Sequence, residues 1–160
     1  MRIQSSKLFL SALAVLFCLL GSQIALAQDE ASFNTNPLLD PNNATAEELA
    51  GVAGLTPEAV QAIVENRPFA TPSALHAAIG ESISEEDQFS VYSAVFVKVK
   101  LNSSANEDFR LVPSTLSARK LAHEFEEYRP YSSMDQFRRE MSKYVSTEEV
   151  DFLERYVIVD

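Results

Sequence analysis

Two imidazoles, those of His76 and His123, are the side chains best suited to act near neutral pH as a general base or a metal ligand. Neither has a partner at the paired spacing a metal site would show, and the two stand isolated in the sequence, so neither reads as a ligand or a base. The carboxylates Glu124, Glu126 and Glu127 read as a hydrated acidic surface. No nucleophile has a sequence-visible activating partner, and no glycine-rich nucleotide loop occurs. The expectation is a non-enzymatic chain with no catalytic residue, no metal and no cofactor. Cations are the remaining chemistry. Arg119 and Lys120 are adjacent, while Arg138, Arg139 and Lys143 form a small basic patch on one helix. That patch suits a partner's acidic surface, with a solvated helix face as the plainer explanation. Arg67 and Arg129 each close a helix, where a cation complements the dipole and its stem covers apolar surface.

The elements that must position these groups occur twice. Residues 65–97 align without a gap against 127–159, at a constant offset of 62. Seven of those 33 positions are identical: Glu65/Glu127, Arg67/Arg129, Pro68/Pro130, Ser84/Ser146, Glu86/Glu148, Val95/Val157 and Val97/Val159. Chance predicts about two. Phe69/Tyr131, Thr71/Ser133, Leu75/Phe137, Ile79/Met141 and Ile83/Val145 exchange one residue for another with the same physical role. Upstream the offset is 60, at Leu49/Phe109 and Val52/Val112, so two extra residues enter the second copy near its first turn. A duplicated module follows.

Arg2 and Lys7 precede an apolar run from Leu8 to Leu20, and Ala25-Leu26-Ala27 supplies small residues for cleavage after Ala27. This pattern predicts a signal peptide over 1–27. Its 13-residue run is too short to span about 30 Å of hydrocarbon, so no membrane insertion is expected after cleavage. Cys18, the one cysteine, lies inside that run, so the mature chain has neither disulfides nor thiol chemistry and is held by burial. The mature length of 133 residues makes one ordinary domain or two very small ones. It carries 11 Lys plus Arg against 23 Asp plus Glu, a formal charge of −12 that repels a polyanion at long range.

Residues 28–43 show no sustained period and read as a flexible lead-in. Thr45-Ala46-Glu47-Glu48 is a capping box opening a short helix, Gly54 ends it, and Thr56-Pro57 starts a second that Pro68 stops. Thr71-Pro72 starts a third with Leu75 and Ile79, terminated by Gly80, and Ser84 with Asp87 starts a fourth. From Val95 to Leu101 the period changes to two, a short strand. The second copy repeats the order: helix through Phe109, turn at 113–117, helix with Leu121 and Phe125, helix with Phe137 and Met141, a Ser146-to-Glu149 capping box, and Val157-Ile158-Val159 as a strand. The predicted fold is mainly α, with repeats over 44–101 and 102–160 of about four short helices each. Each ends in an extended segment, and pairing of the two segments would clasp the copies; packing of each on its own copy is the equal alternative.

Asn43 to Leu49, Val52 to Pro57, Ala62-Ile63-Val64 and Arg67-Pro68-Phe69, with Ser73 and Leu75, carry a resemblance to the helix-hairpin-helix family. The chain looks like the exported ComEA-type DNA-uptake proteins and the related PsbU-like extrinsic subunits. In that family the hairpin between the first two helices holds two glycines flanking an apolar residue, and its amides grip DNA phosphates without reading bases. The resemblance therefore implies phosphate contact at Gly54, Leu55 and Thr56, and at Ser114, Thr115 and Leu116 with Arg119 and Lys120 beyond. Thr56 stands where the second glycine belongs, and the second turn has no glycine. A side chain there limits the approach of a phosphate. Two functions follow: an exported adaptor that binds another envelope or secreted protein, as the PsbU resemblance implies, or sequence-independent duplex-DNA binding in uptake, as ComEA implies. Charge and the altered turns favour the adaptor, in the periplasm or released.

Overall fold

A computed structural model describes Phe33 and residues 35–160; the signal peptide expected at 1–27 lies outside the described residues. These residues lie in one compact unit and are mainly α-helical, as the sequence predicts. In chain order come α1 (Ala46–Ala50), α2 (Pro57–Asn66), α3 (Pro72–Ile79), α4 (Glu85–Ala94) and β1 (Val99–Lys100). Then follow α5 (Asn106–Phe109), α6 (Ala118–Glu127), α7 (Met134–Met141), α8 (Thr147–Leu153) and β2 (Val157–Ile158). None of these helices is long and apolar enough to cross a membrane.

Side-chain caps set where the helices start. Thr45 accepts the Glu48 amide at 3.2 Å while the Glu48 carboxylate accepts the Thr45 amide at 2.7 Å, and that bond holds the Glu48 carboxyl below its ordinary range. Thr56 and Thr71 cap α2 and α3, each followed by proline, which has no amide to leave unsatisfied. Ser84, Ser117, Ser133 and Ser146 cap α4, α6, α7 and α8. At α5 the cap position is Ala105, which has no hydroxyl, and the helix is a single turn. Its Asp108, where the first half has Glu48, reaches instead to Ser73 at the start of α3 and accepts from the Ser73 amide at 3.0 Å and hydroxyl at 2.6 Å. This buried carboxylate ties the second half to the first.

Arg67 and Arg129 do more than face a helix end. Arg67 donates from Nε to the Pro41 carbonyl and from Nη2 to the Ala44 carbonyl, both at 2.5 Å; Arg129 does the same to Leu101 at 2.6 Å and Ser104 at 2.5 Å. Beside each, an asparagine closes a two-way bond with the residue after the proline. Asn42 binds the carbonyl and amide of Phe69 at 3.0 and 2.6 Å, and Asn102 binds those of Tyr131 at 3.0 and 2.7 Å. The Arg67–Pro68 and Arg129–Pro130 peptide bonds are both cis. Much of the segment read as a lead-in is thus held: Leu39 bridges in parallel to Val95, and Asn42 is bound as above. The expected clasp forms in part, since β1 pairs with β2 in parallel with Val99 opposite Val157, while Val95 pairs with Leu39. One extended stretch therefore serves both pairings.

The core fills corresponding positions with side chains of different size. Leu49, Ile63, Leu75 and Ile79 are fully buried in the first half, and Phe109, Phe125, Phe137 and Met141 in the second. The three phenylalanines meet edge to face, with centroids 5.3 and 5.5 Å apart. Between the halves Phe96 packs on Tyr156 at 5.4 Å, and the Tyr156 hydroxyl donates to the Ser93 carbonyl at 3.1 Å. The period of two expected from Val95 to Leu101 does not sort burial throughout, since Phe96 is buried like its neighbour Val95.

Candidate functional site: two hairpin turns

The turns joining α1 to α2 and α5 to α6 are the places where backbone amides at a helix start would meet an anion. Gly54 has the positive φ expected of it, +84°, and Leu55 beside it is buried at 8% exposure. Thr56 spends its hydroxyl on the Ala59 amide at 3.1 Å. Above Gly54 lies Asp87 of α4, so close that a Cβ on residue 54 would stand 2.9 Å from the Asp87 Cβ and 3.1 Å from Oδ1. A half-buried carboxylate therefore lies against the turn, one of its oxygens accepting from the Ser84 hydroxyl at 2.6 Å.

The second turn is closed more completely. Glu149 of α8, 2% exposed, accepts from the Ser114 hydroxyl at 2.6 Å, the Thr115 amide at 2.7 Å and the Thr115 hydroxyl at 2.5 Å. The Leu116 amide is taken by the Ser114 hydroxyl at 3.1 Å. The expected Ser146–Glu149 capping box is thus half made: Ser146 accepts the Glu149 amide at 3.2 Å, but the Glu149 carboxylate turns away to the hairpin. Three donors converging on two carboxylate oxygens is how such a turn would hold a phosphate. Asp87 and Glu149 occupy aligned positions of the two halves. That pairing was visible in the alignment as two acids at offset 62, although each looked like part of a helix cap.

Of the cations beyond the second turn, Lys120 is engaged and Arg119 is not. Lys120 Nζ lies 3.0 Å from Glu124 Oε1 and 4.7 Å over the Tyr144 ring. Burial pushes the Glu124 carboxyl up, but the Lys120 hydrogen bond and charge, with the neighbouring Tyr144 and His123, together outweigh it and hold the group below its ordinary range. Arg119 is exposed, with no ion pair or hydrogen bond among the described residues. It shares a cleft of about 450 Å³ between α5 and α6 with Arg110, Lys120 and His123. His123, Glu124 and Glu127 bring one donor atom each within 4.8 Å, but Lys120 already supplies the counter-charge to Glu124.

The basic patch read on α7 is neutralised from within. Arg138 pairs with Asp135 at 2.9 Å and with both carboxylate oxygens of Glu154. Arg139 pairs with Glu140 at 3.0 Å, and Lys143 pairs with Glu140 and lies 4.7 Å over the Tyr128 ring. Exposed pairs of this kind add little stability, but each cation of the patch already has an acidic partner within the protein. Comparison with protein-family models, with curated proteins and with solved structures finds no match.

Proposed function

We propose that the chain is a non-catalytic, exported helix-hairpin-helix module built as a tandem repeat, and that it acts as a protein-interaction adaptor in the periplasm or envelope. The repeat reading is supported by the hydrogen bonds that recur at the same offsets: two arginine clamps, two asparagine–aromatic pairs and two parallel pairings. The observation that carries the adaptor reading is the Glu149 carboxylate seated in the second hairpin, with Asp87 lying against the first. A phosphate approaching either turn meets a fixed negative charge, and in the second it finds the donors already taken. The formal charge of −10 on the whole chain opposes nucleic acid further.

Duplex DNA titrated against the purified protein, from low salt upward, tests this reading. The adaptor predicts no binding at any salt. Micromolar binding that weakens steeply with salt, and that is lost on R119E with K120E, overturns it in favour of DNA uptake.

A further inference from the structure

A groove runs between α4 and the segment leading into α6, lined by Gln88, Phe89 and Tyr92 on one wall and by Arg110, Leu111 and Leu116 on the other. It encloses about 180 Å³. That is room for one large side chain, since an apolar cavity of about 150 Å³ holds a benzene ring. Phe89 stands at its edge with 44% of its surface exposed. A phenylalanine left so open beside an unfilled groove is an unusual use of an aromatic ring.

Arg110 lines one wall, and the acids of α4 flank the other rather than line it, so the elements on the two sides of the groove carry opposite charge. One turn before Phe89, on the same helix face, are Glu85 and Glu86, both exposed. The six ion pairs among the described residues all lie between Lys120 and Glu154, so neither glutamate has a cationic partner. On the other wall Arg110 gives only its Nε–H, to the neutral Asn106 side chain at 2.8 Å, and Arg119 beyond it in the adjoining cleft is unpaired. The charge distribution has the same sense at larger scale. Residues 33–97 hold nine carboxylates against the single Arg67, whereas 98–160 hold twelve against ten Lys plus Arg.

We infer that this surface associates with a second copy of the chain through a twofold axis, Phe89 of each copy filling the groove of the other. Such an axis brings the acidic side of one protomer opposite the arginines of its partner, and the reverse contact follows by symmetry. The groove's rim supplies each group the groove calls for: an apolar anchor of the right size, anions for its arginines and cations for its glutamates. The overall negative charge opposes approach at a distance. At physiological ionic strength its reach is about 8 Å, so the contact pairs prevail at close range. This inference is independent of the adaptor reading, because a dimer can bind either a protein or DNA.

Sedimentation of the purified protein over a concentration series tests the inference. The weight-average mass should rise towards twice that of the monomer. F89E should abolish the rise. R110E alone and E85K/E86K alone should each weaken association by about tenfold or more, because each turns a matched side into a like-charged one. Mixing the two charge-reversed proteins should restore a dimer, since the glutamate at 110 then meets lysines while the native Arg110 meets native glutamates. All these positions are exposed, and unchanged thermal unfolding of each variant excludes a folding defect. A parent that stays monomeric at its highest soluble concentration overturns the inference. So does a mixture that fails to re-associate, or a dimer that survives F89E.

Discussion

Glu149 is the residue on which the functional reading turns. Its carboxylate is buried and satisfied by three donors from one short turn. Removing it orphans the Thr115 amide and two hydroxyls. E149A should therefore lose about 1–3 kcal/mol of stability in urea denaturation, with E149Q in between because an amide oxygen still accepts. The vacated turn also exposes a free amide at a helix start. E149A should accordingly bind duplex DNA more tightly than the parent at low salt, and equal binding would show that the carboxylate is not what keeps phosphate out. Arg129 carries comparable weight in the scaffold, holding two carbonyls and lying 4.7 Å over the Phe109 ring. Lysine cannot reproduce that planar fork. R129K should cost about 1.5–3 kcal/mol, read by the same denaturation.

At the scale of elements, each hairpin is a turn latched to the last helix of its own half. Gly54 shows how tight the first latch is. Any side chain there meets a positive φ of 84° and the Asp87 Cβ at 2.9 Å. G54A should destabilise the protein by about 1–2 kcal/mol from the backbone angle alone, with the contact adding to it. Replacing Asp87 by alanine in the same chain removes the Cγ and Oδ1 contacts at 3.1 Å but keeps the β-carbon at 2.9 Å, so it should recover only a part of the loss. Full recovery would show that the angle costs nothing here. The single-turn α5 makes the complementary point: lacking a hydroxyl cap, it is held through Asp108 to α3, so its order depends on the other half.

For the molecule as a whole, burial of phenols sets the alkaline limit. Burial pushes Tyr92 up to about 12 and raises Tyr131 and Tyr156 further, while Tyr144 is raised first by its hydrogen bond to Tyr128. A raised folded-state value contributes stability that is complete below the ordinary value of 10 and is lost as pH climbs through the folded one. Tyrosinate absorbance should therefore show four of the five tyrosines titrating late, with unfolding between about pH 10 and 12. At the acid end the sign reverses. Glu48 is lowered by the Thr45 amide, Glu140 by Lys143 and Asp160 by Ser103. Their contribution is complete above ordinary carboxyl values, 4.5 for Glu and 3.8 for Asp, and declines as pH falls below them. A midpoint in urea that does not move below pH 4 would contradict these assignments.

Local physics made the helices legible in the sequence. A hydroxyl three residues before an amide, a proline at the first helical position and a glycine at a positive angle act within one turn of chain, so Thr45, Thr56, Thr71, Ser84 and Ser146 marked their helices directly. The paired apolar positions likewise foretold which faces are buried, because size and spacing suffice for that. Contacts across sequence distance were not legible. Glu149 satisfied a local rule and was read as a cap, while Arg138, Arg139 and Lys143 read as a free patch because one of their partners, Glu154, lies well along the chain. A long charged side chain can reach several elements, and only the packing of helices around the core decides which one it meets. That choice seated Glu149 in the second hairpin, laid Asp87 against the first, and left Phe89, Arg110 and Arg119 facing outward.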